Sequence, residues 1–303
     1  MKRISILLAL LTFNSFVFSQ EENQEEEKNN LQVFTPSKLL NKGQWDIKWF
    51  NGLYTQTKQT GGNNGDSRDI LRENFFTSTL EVFTGISENN RINVGAIIEY
   101  RSNTIGGRQA LSVFSLNDSR GTERKGLTSI APSVKIQPFK NVGNFSFQSS
   151  LHIPTLENET DDAIFDFNND GSPDGVFLDQ TAWSFQNRFF YDYTFPSGKW
   201  QLFTELNTEY GFGDDKSFAN NTFLIVPGAF ISYFPTQKAT VLAFAQHSER
   251  FGDFEQDNTS LGFGGKYQLT DVINLEVLYS NIVRGFNFQG LGETYSFGIR
   301  ALF

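Results

Sequence analysis

One short string in the sequence carries side chains that could bind a metal ion. The segment DFNNDGSPDG places Asp166, Asn168, Asp170 and Asp174 at the spacing D-x-N-x-D-G-x-x-D. Ca²⁺ prefers several carboxylate and carbonyl oxygens from one compact loop, and Gly171 would allow the sharp turn that brings them together. Asp- and Gly-rich surface turns without metal have the same composition. The string is therefore either a plain surface turn or a site for a calcium ion that would rigidify a long loop.

Residues for nucleophilic or acid–base catalysis form no recognisable set. The sequence has two histidines, His152 and His247, and no cysteine. A serine and a histidine on one strand share a face only at a spacing of two, whereas Ser248 follows His247 directly. Nothing marks a pair of catalytic acids. We therefore predict no catalytic residues, no enzymatic activity and no cofactor other than the candidate calcium ion.

The N-terminus reads as an export signal. Lys2 and Arg3 precede an apolar run from Ile4 to about Leu11, and Ser19 is small enough to lie at a cleavage site. The run is shorter than the roughly 20 apolar residues that a membrane-spanning helix needs. We predict a signal peptide over 1–19, followed over 20–43 by an acidic tail and an N-terminal segment.

Composition excludes several classes of protein. The chain has 34 acidic and 25 basic residues, so its net charge is −9, or −11 once Lys2 and Arg3 are removed with residues 1–19. An acidic chain is unsuited to nucleic acid, which needs a basic face. The lack of cysteine excludes disulfides and thiol chemistry. With 33 phenylalanines and an export signal, the composition indicates a β-rich exported protein.

From Gln44 to Phe303 the sequence alternates strand-like and turn-like segments. Short connections such as ENN and PSGK alternate with longer ones such as 104–124 and 155–178, as in outer-membrane barrels. We predict an all-β, antiparallel, up-and-down transmembrane β-barrel over 44–303. An even number of strands places both termini on the periplasmic side. The predicted strands, about twelve in number, are 44–57, 71–86, 91–103, 125–139, 144–154, 179–195, 200–212, 219–234, 239–250, 257–269, 272–284 and 292–303.

The two faces of the predicted strands differ in charge. In 91–103, for example, Val94 and Ile98 oppose Glu99 and Arg101. Charge on the lipid side costs about 2–4 kcal/mol at mid-bilayer, so the charged parity should face the lumen. The strand 239–250 is apolar on both parities and cannot be oriented. The predicted charged lumen residues are Asp46, Lys48, Glu81, Glu99, Arg101, Lys135, Arg188, Asp192, Glu205, Glu209, Lys266, Glu276 and Arg300, with His152 beside them.

Aromatic residues fall on the same inward parity. A water-filled general porin would gain nothing from them, whereas a passage for small hydrophobic or aromatic solutes would. Two alternatives remain: the aromatic residues could pack against an inward loop, and the charges could form a structural network that narrows the lumen. The predicted inward aromatic residues are Phe50, Tyr54, Phe75, Phe83, Phe190 and Phe203.

Four features of the sequence resemble known proteins. The ending TYSFGIRALF resembles the C-terminal signature of bacterial outer-membrane proteins, which implies recognition by the barrel-insertion machinery. The signal sequence and the Asn- and Phe-rich style are similar to proteins of Bacteroidota-type bacteria. SLHIPT, a long loop and DQTAWSFQNRFFYDYTF are similar to outer-membrane transporters of the phenol-degradation-pathway channel group, without any catalytic residues. The Asp-rich string resembles calcium loops of exported proteins, but Phe177 replaces the final Glu of an EF-hand.

Together these observations predict an outer-membrane channel or transporter of a Gram-negative bacterium. Its solutes would be small and hydrophobic or aromatic, and its other partners would be outer-membrane lipid and the barrel-insertion machinery. The first alternative is a non-conducting structural or accessory subunit of an outer-membrane complex, and the least favoured is a barrel hydrolase.

Overall fold

The structure, a computed structural model, describes residues 36–61, 66–115, 122–156, 176, 178, 182–214, 217–287 and 290–303. Alternation of apolar and polar side chains, which suits a pleated sheet with two different environments, selects the strands. Twelve strands lie in this described part of the chain. They are β1 (Trp45–Thr60), β2 (Ser67–Gly85), β3 (Ile92–Thr104), β4 (Glu123–Ile136), β5 (Phe145–Pro154), β6 (Trp183–Thr194), β7 (Trp200–Phe212), β8 (Thr222–Tyr233), β9 (Ala239–Gly252), β10 (Gln256–Gln268), β11 (Ile273–Phe286) and β12 (Glu293–Leu302).

The strands form one closed antiparallel barrel in which each pairs with its neighbours in sequence. The barrel closes between β1 and β12, with Asp46 opposite Leu302. The Trp45 amide donates to the Phe303 carbonyl at 2.6 Å, and the Phe303 amide donates back at 3.0 Å. Closure removes the edge strands that an open sheet would expose. The predicted up-and-down barrel of about twelve strands is confirmed.

The two ends of the barrel carry different connections. The end at which Trp45 and Phe303 lie is called the terminal end, and the opposite one the loop end. The terminal end has the connections 86–91, 137–144, 195–199, 234–238 and 269–272, and the loop end has 61–66, 105–122, 155–182, 213–221, 253–255 and 287–292. The β9–β10 connection is shorter than predicted, because β9 extends to Gly252 and Arg250 pairs with Gln256.

Strand register separates the inside of the barrel from the outside. Residues directly opposite each other on neighbouring strands share a face, so Lys48 and Glu81 do. Arg188 Nη1 lies 3.3 Å from Glu81 Oε1, although β6 and β2 are four strands apart. Such a contact can form only through the enclosed space, so this face is the inside. The outside exposes large apolar side chains such as Trp49 and Phe297.

The structure also orients β9, which the sequence could not. Leu242 is 4% exposed and Val241 is 57% exposed. Phe244 lies opposite Phe230 of β8 and Gly262 of β10. Leu242 and Phe244 therefore point inward and Val241 points outward. Both parities are apolar because the inner wall is itself apolar at this strand.

The segment 36–43 enters the barrel at the terminal end. Leu40 is almost fully buried, and the apolar cluster that it completes is Phe83, Ile97, Ala131 and Leu302. Four of these five side chains belong to the inner wall, so Leu40 fills space that the barrel encloses. Close-packed apolar contact of this kind excludes water.

A 3-10 helix over Ala110–Phe114 lies in the β3–β4 connection. The Ser102 hydroxyl donates to the Val113 carbonyl at 2.7 Å. Ser102 lies on the outward parity of β3, so this helix packs against the outer wall at the loop end. No helix among the described residues is long and apolar enough to cross a membrane.

Candidate functional site: the barrel interior

The inward parity carries the charged and aromatic residues that the sequence analysis assigned to the lumen. Opposed pairs continue around the wall, as Glu99 opposite Ser129 and Arg188 opposite Gln148 illustrate. The residues on this face are Asp46, Lys48, Phe50, Phe75, Glu81, Phe83, Glu99, Arg101, Lys135, Arg188, Phe190, Asp192, Phe203, Glu205, Glu209, Lys266, Glu276 and Arg300.

A chain of ion pairs begins beside the seam between β12 and β1. The Arg300 guanidinium donates to both Asp46 carboxylate oxygens at 2.8 Å. Lys48 Nζ lies 3.7 Å from Asp46 Oδ2 and 3.4 Å from Glu81 Oε2. The paired fork geometry of the arginine and carboxylate is the strong form of such a contact. The seam is thus fixed by side chains as well as by the backbone.

Arg188 carries this network across the lumen. Its Nε donates to Glu205 Oε1 at 2.7 Å on the next strand, and its Nη1 lies 3.3 Å from Glu81 on the far side. The guanidinium also lies 5.1 Å from the ring centre of Phe190, and Lys135 Nζ lies 5.0 Å from the same centre. A side chain spanning the enclosed space narrows it, so the network constricts the terminal half of the barrel.

The other inward charges form local pairs. Arg101 Nε lies 2.7 Å from Glu99 Oε1, and Lys266 Nζ lies 2.6 Å from Glu276 Oε2. Asp192 accepts hydrogen bonds from Ser37 and, at 3.4 Å, from Gln201. A pore that selects strongly by charge would show an excess of one sign. The pairing of acids with bases leaves the interior without such an excess.

A ladder of inward phenylalanines follows the wall from β6 to β9. Ring centres lie 6.2 Å apart for Phe190–Phe203, 5.5 Å for Phe203–Phe230 and 5.2 Å for Phe230–Phe244. These distances fall in the range of favourable aromatic pairs. Phe190 and Phe203 were predicted from the sequence, whereas Phe230 and Phe244 were not. The inward parity of β9 can be assigned only from its pairing with β8.

This ladder continues as a row of uncharged residues that leads to a second aromatic group. Register places Phe244 opposite Gly262, and the row then passes through small side chains to Tyr54 and Phe75. The full row, which we call the uncharged track, is Phe203, Phe230, Phe244, Gly262, Ser280, Thr294, Tyr54 and Phe75. Because strands tilt in a barrel, a hydrogen-bonded row runs obliquely along the wall. The track therefore joins the terminal half to the loop end.

Inward glycines lie beside several inward rings. A Cβ on Gly262 would stand 2.2 Å from the Phe244 ring, and one on Gly298 would stand 3.1 Å from the Phe50 ring. These rings thus lie over the neighbouring backbone, where only glycine leaves room.

The loop half of the interior holds open space. A cavity of about 440 Å³ is lined by Tyr54, Phe75, Thr294 and Arg101, among others. A second cavity, of about 280 Å³, shares Arg101 and Phe218 with the first. Both volumes are close to or within the lower range of small-molecule sites. The uncharged track starts in the first cavity, since three of its members line that cavity.

Phe218, in the β7–β8 connection, lies at the mouth of both cavities. Its ring meets that of Phe254 edge-on at 5.6 Å, and the Arg250 guanidinium lies 5.1 Å from its centre. A cation over a ring face is attracted by the ring quadrupole. Two connections of the loop end are thereby held together over the entrance.

The N-terminal segment obstructs the terminal half. The Ser37 hydroxyl donates to Asp192 of β6, and the Leu40 amide donates to Asn93 Oδ1 of β3 at 3.2 Å. The Ser146 hydroxyl donates to the Pro36 carbonyl at 3.3 Å. Residues 36–40 thus contact strands on separate parts of the wall. Together with the apolar cluster around Leu40 they block the lumen at the terminal end.

The fold is that of solved outer-membrane β-barrels. An outer-membrane channel from Pseudomonas putida F1 superimposes with a TM-score of 0.65 and 11% identity, over 89% of this chain and 99% of that one. The β domain of the Bordetella autotransporter Brka gives a TM-score of 0.54 and 13% identity, over 85% and 99%. No protein-family model matches the sequence, and no curated protein matches it.

A buried Ser–His pair lies among the described residues of this outer-membrane-type barrel. The Ser129 hydroxyl lies 3.1 Å from His152 Nδ1, and both side chains are at most 3% exposed. This pair was not predicted because it joins two strands: the β4–β5 register, in which Ser129 lies opposite Pro154, brings Ser129 diagonally beside His152. A nucleophile needs access to its substrate, and neither residue lines the two cavities. The pair therefore fits a structural role.

The candidate calcium ligands Asp166, Asn168, Asp170 and Asp174 lie outside the described residues. Within the described residues, no group of three or more acidic, histidine or cysteine side chains is placed to hold a metal ion.

Proposed function

We propose that this protein is an outer-membrane channel for small solutes with an aromatic or other apolar surface. The observation that carries the proposal is the uncharged track, which runs obliquely from the loop-end cavity to the terminal half of the interior. An apolar solute against a charged wall would displace water from the charges without replacing its hydrogen bonds, which is costly. A wall of rings and small residues can contact the solute along its whole path without that cost.

The loop-end cavity supports the first step, which is entry. Its aromatic lining, Tyr54 and Phe75, begins the track, and its volume suits a solute of modest size. Apolar surface removed from water contributes roughly 25 cal/mol per Å². Entry would therefore be driven by burial rather than by charge.

The ladder of phenylalanines supports the second step, which is movement along the wall. Rings spaced 5.2–6.2 Å apart offer the next contact before the previous one is lost. Conduction requires sites that bind weakly and follow one another. One solved structure with the same fold is an outer-membrane channel, which agrees with this role.

A second candidate function is a non-conducting structural barrel. It is favoured by the N-terminal segment and by the Glu81–Arg188 contact, which together obstruct the terminal half. In this reading the ion pairs serve only to hold the wall. The two candidates differ in whether any solute passes.

A matched pair of solutes tests the proposal. Phenyl glucoside and methyl glucoside are both excluded by lipid, and only the first carries a ring. We expect liposomes containing the protein to swell faster in phenyl glucoside, although it is the larger solute. The measurement is repeated with a variant lacking residues 20–41. Passage of neither solute through either protein would contradict the channel and support the structural barrel.

The same proposal includes location and orientation. We propose that residues 1–19 are cleaved on export, that the terminal end faces the periplasm and that the insertion machinery recognises the C-terminal strand. Protease added to intact cells should then cut the loop-end connections and spare 137–144. Cleavage at 137–144 in intact cells would show that the terminal end faces outward instead.

A further inference from the structure

The two ends of the barrel differ in charge. The loop-end connection 155–182 contains eight acidic residues and no basic residue. The terminal-end connections contain four basic residues against two acidic ones, in a chain whose net charge is −9. The terminal end is therefore suited to attract an acidic chain. Its basic residues are Arg91, Lys140, Lys199 and Lys238, and its acidic residues are Glu88 and Asp271.

The four basic residues lie on four consecutive connections, and we call them the basic rim. Lys140, Lys199 and Lys238 are exposed. The Arg91 guanidinium donates to two carbonyls of the 137–144 connection at 3.0 and 2.6 Å, which holds it on the same side as Lys140. None of the four forms an ion pair within the described part of the chain. Their charges are therefore available to an acidic partner.

The rim has a definite length. Successive connections at one end of the barrel are two strands apart. Since neighbouring strands lie about 4.7–4.9 Å apart, successive lysines of the rim are about 10 Å apart. The arc from Lys140 through Lys199 to Lys238 is thus about 20 Å long.

The described chain begins beside this arc. The Pro36 carbonyl accepts a hydrogen bond from Ser146, the second residue of β5. The Ser37 hydroxyl donates to Asp192, close to the last residue of β6. At this end β5 begins and β6 ends at connections of the basic rim. The residues that precede Pro36 are therefore tethered between two of the rim's lysines.

Those preceding residues include the acidic tail, 20–30. It carries five acidic residues and one basic residue, Lys28. Glu27 precedes Pro36 by nine residues, and an extended chain of that length reaches roughly 30 Å. The stretch 21–27 spans roughly 20 Å when extended, which matches the arc. The five acidic residues are Glu21, Glu22, Glu25, Glu26 and Glu27.

From this arrangement we infer that the acidic tail docks on the basic rim of its own barrel and so helps to retain the segment 36–43 in the lumen. A single exposed ion pair is weak. Several pairs act together here, and the tether keeps the acids at a high effective concentration beside the rim. Because all the charges are exposed, salt should screen the docking, and at 1 M the screening length is only about 3 Å. The docking requires neither solute passage nor a particular orientation in the membrane.

Distances between two spin labels test the docking. The chain has no cysteine, so Gln24→Cys labels the tail and Gln237→Cys labels the connection that carries Lys238. Pulsed electron paramagnetic resonance is measured on the full exported chain in phosphatidylcholine vesicles, which carry no net charge. We expect a narrow distance distribution at low salt, and its width should increase at least about twofold in 1 M salt.

Two charge variants of the labelled protein separate the rim from a general effect of charge. The rim variant should give the broad distribution already at low salt, and the control, which removes the same charge from the loop end, should stay as narrow as the parent. The rim variant is Lys140→Gln, Lys199→Gln and Lys238→Gln together, and the control is Lys58→Gln, Arg68→Gln and Arg284→Gln together.

A broad distribution in the parent at low salt overturns the docking, as do equal widths in the rim variant and the control. Heat-modifiable gel mobility reports whether each variant is folded. If the rim variant is not, the labelled parent decides alone, and an unchanged width between low salt and 1 M salt overturns the docking. A failure of solute passage in liposome swelling would count against the channel and not against this contact.

Discussion

The two halves of the barrel interior are built from the same alternation of side chains, and yet one is filled and the other is open. The terminal half is filled: Leu40 closes an apolar cluster, and Arg188 spans the lumen between Glu81 and Glu205. The loop half keeps cavities of about 440 and 280 Å³ under Phe218. Strand number is constant along the barrel, so the difference comes from side chains and from the segment 36–43. Occlusion and solute contact are therefore separable by mutation.

Removing the N-terminal segment should reduce the difference between the filled terminal half and the open loop half most strongly. Deletion of residues 20–41 takes away Ser37 and Leu40, which contact the wall at the terminal end. We expect the single-channel conductance in planar bilayers to rise several-fold, because only the Arg188 network would then narrow the terminal half. Unchanged conductance would show that the ion pairs alone set the constriction.

Truncating Arg188 should have the next largest effect. Arg188→Ala leaves the carboxylates of Glu81 and Glu205 without this partner, which should lower the free energy of unfolding by about 2–3 kcal/mol. Urea titration of folded protein in lipid vesicles measures the change. The matched control is Arg284→Ala, whose pair with Asp257 is more exposed and should contribute about 0–1 kcal/mol. Equal losses would mean that the cross-lumen network is no stronger than a surface pair.

Removing a ring of the track should change solute choice more than stability, since the lost ring pair is worth about 0.5–1.5 kcal/mol. Phe244→Ala removes the ring that links Phe230 to Gly262. We expect the preference for phenyl over methyl glucoside in liposome swelling to fall several-fold. The control is Phe263→Ala, which alters an outward ring that is 62% exposed. A fall of the same size in both variants would exclude the track as the cause.

The smallest expected effect concerns the calcium candidate in the long β5–β6 connection. Calorimetric titration with Ca²⁺ should give heats that disappear in Asp170→Ala, and the barrel should remain folded in both proteins. A bound ion would order this part of the loop end without changing the terminal half. Equal heats in wild type and variant would identify the string as a plain surface turn.

Much of the barrel followed from the sequence because lipid and lumen impose opposite demands on successive residues. The strand β3 shows this alternation clearly, since apolar Val94 and Ile98 point outward while charged Glu99 and Arg101 point inward. β9 could not be oriented, since an apolar track on the inside makes both parities apolar. The inward course of Leu40 and the outward packing of the 3-10 helix depend on contacts distant in sequence, and no local pattern encodes those.

The inward rings packed beside Gly262 and Gly298 have a consequence for specificity. A flat face attracts any other flat face but offers no directional bond, so it can hold a guest without fixing its rotation. Such a surface would discriminate between solutes by their thickness and hydrophobicity rather than by the pattern of their substituents. Selectivity of that kind is broad, and each encounter is brief enough for the guest to move on.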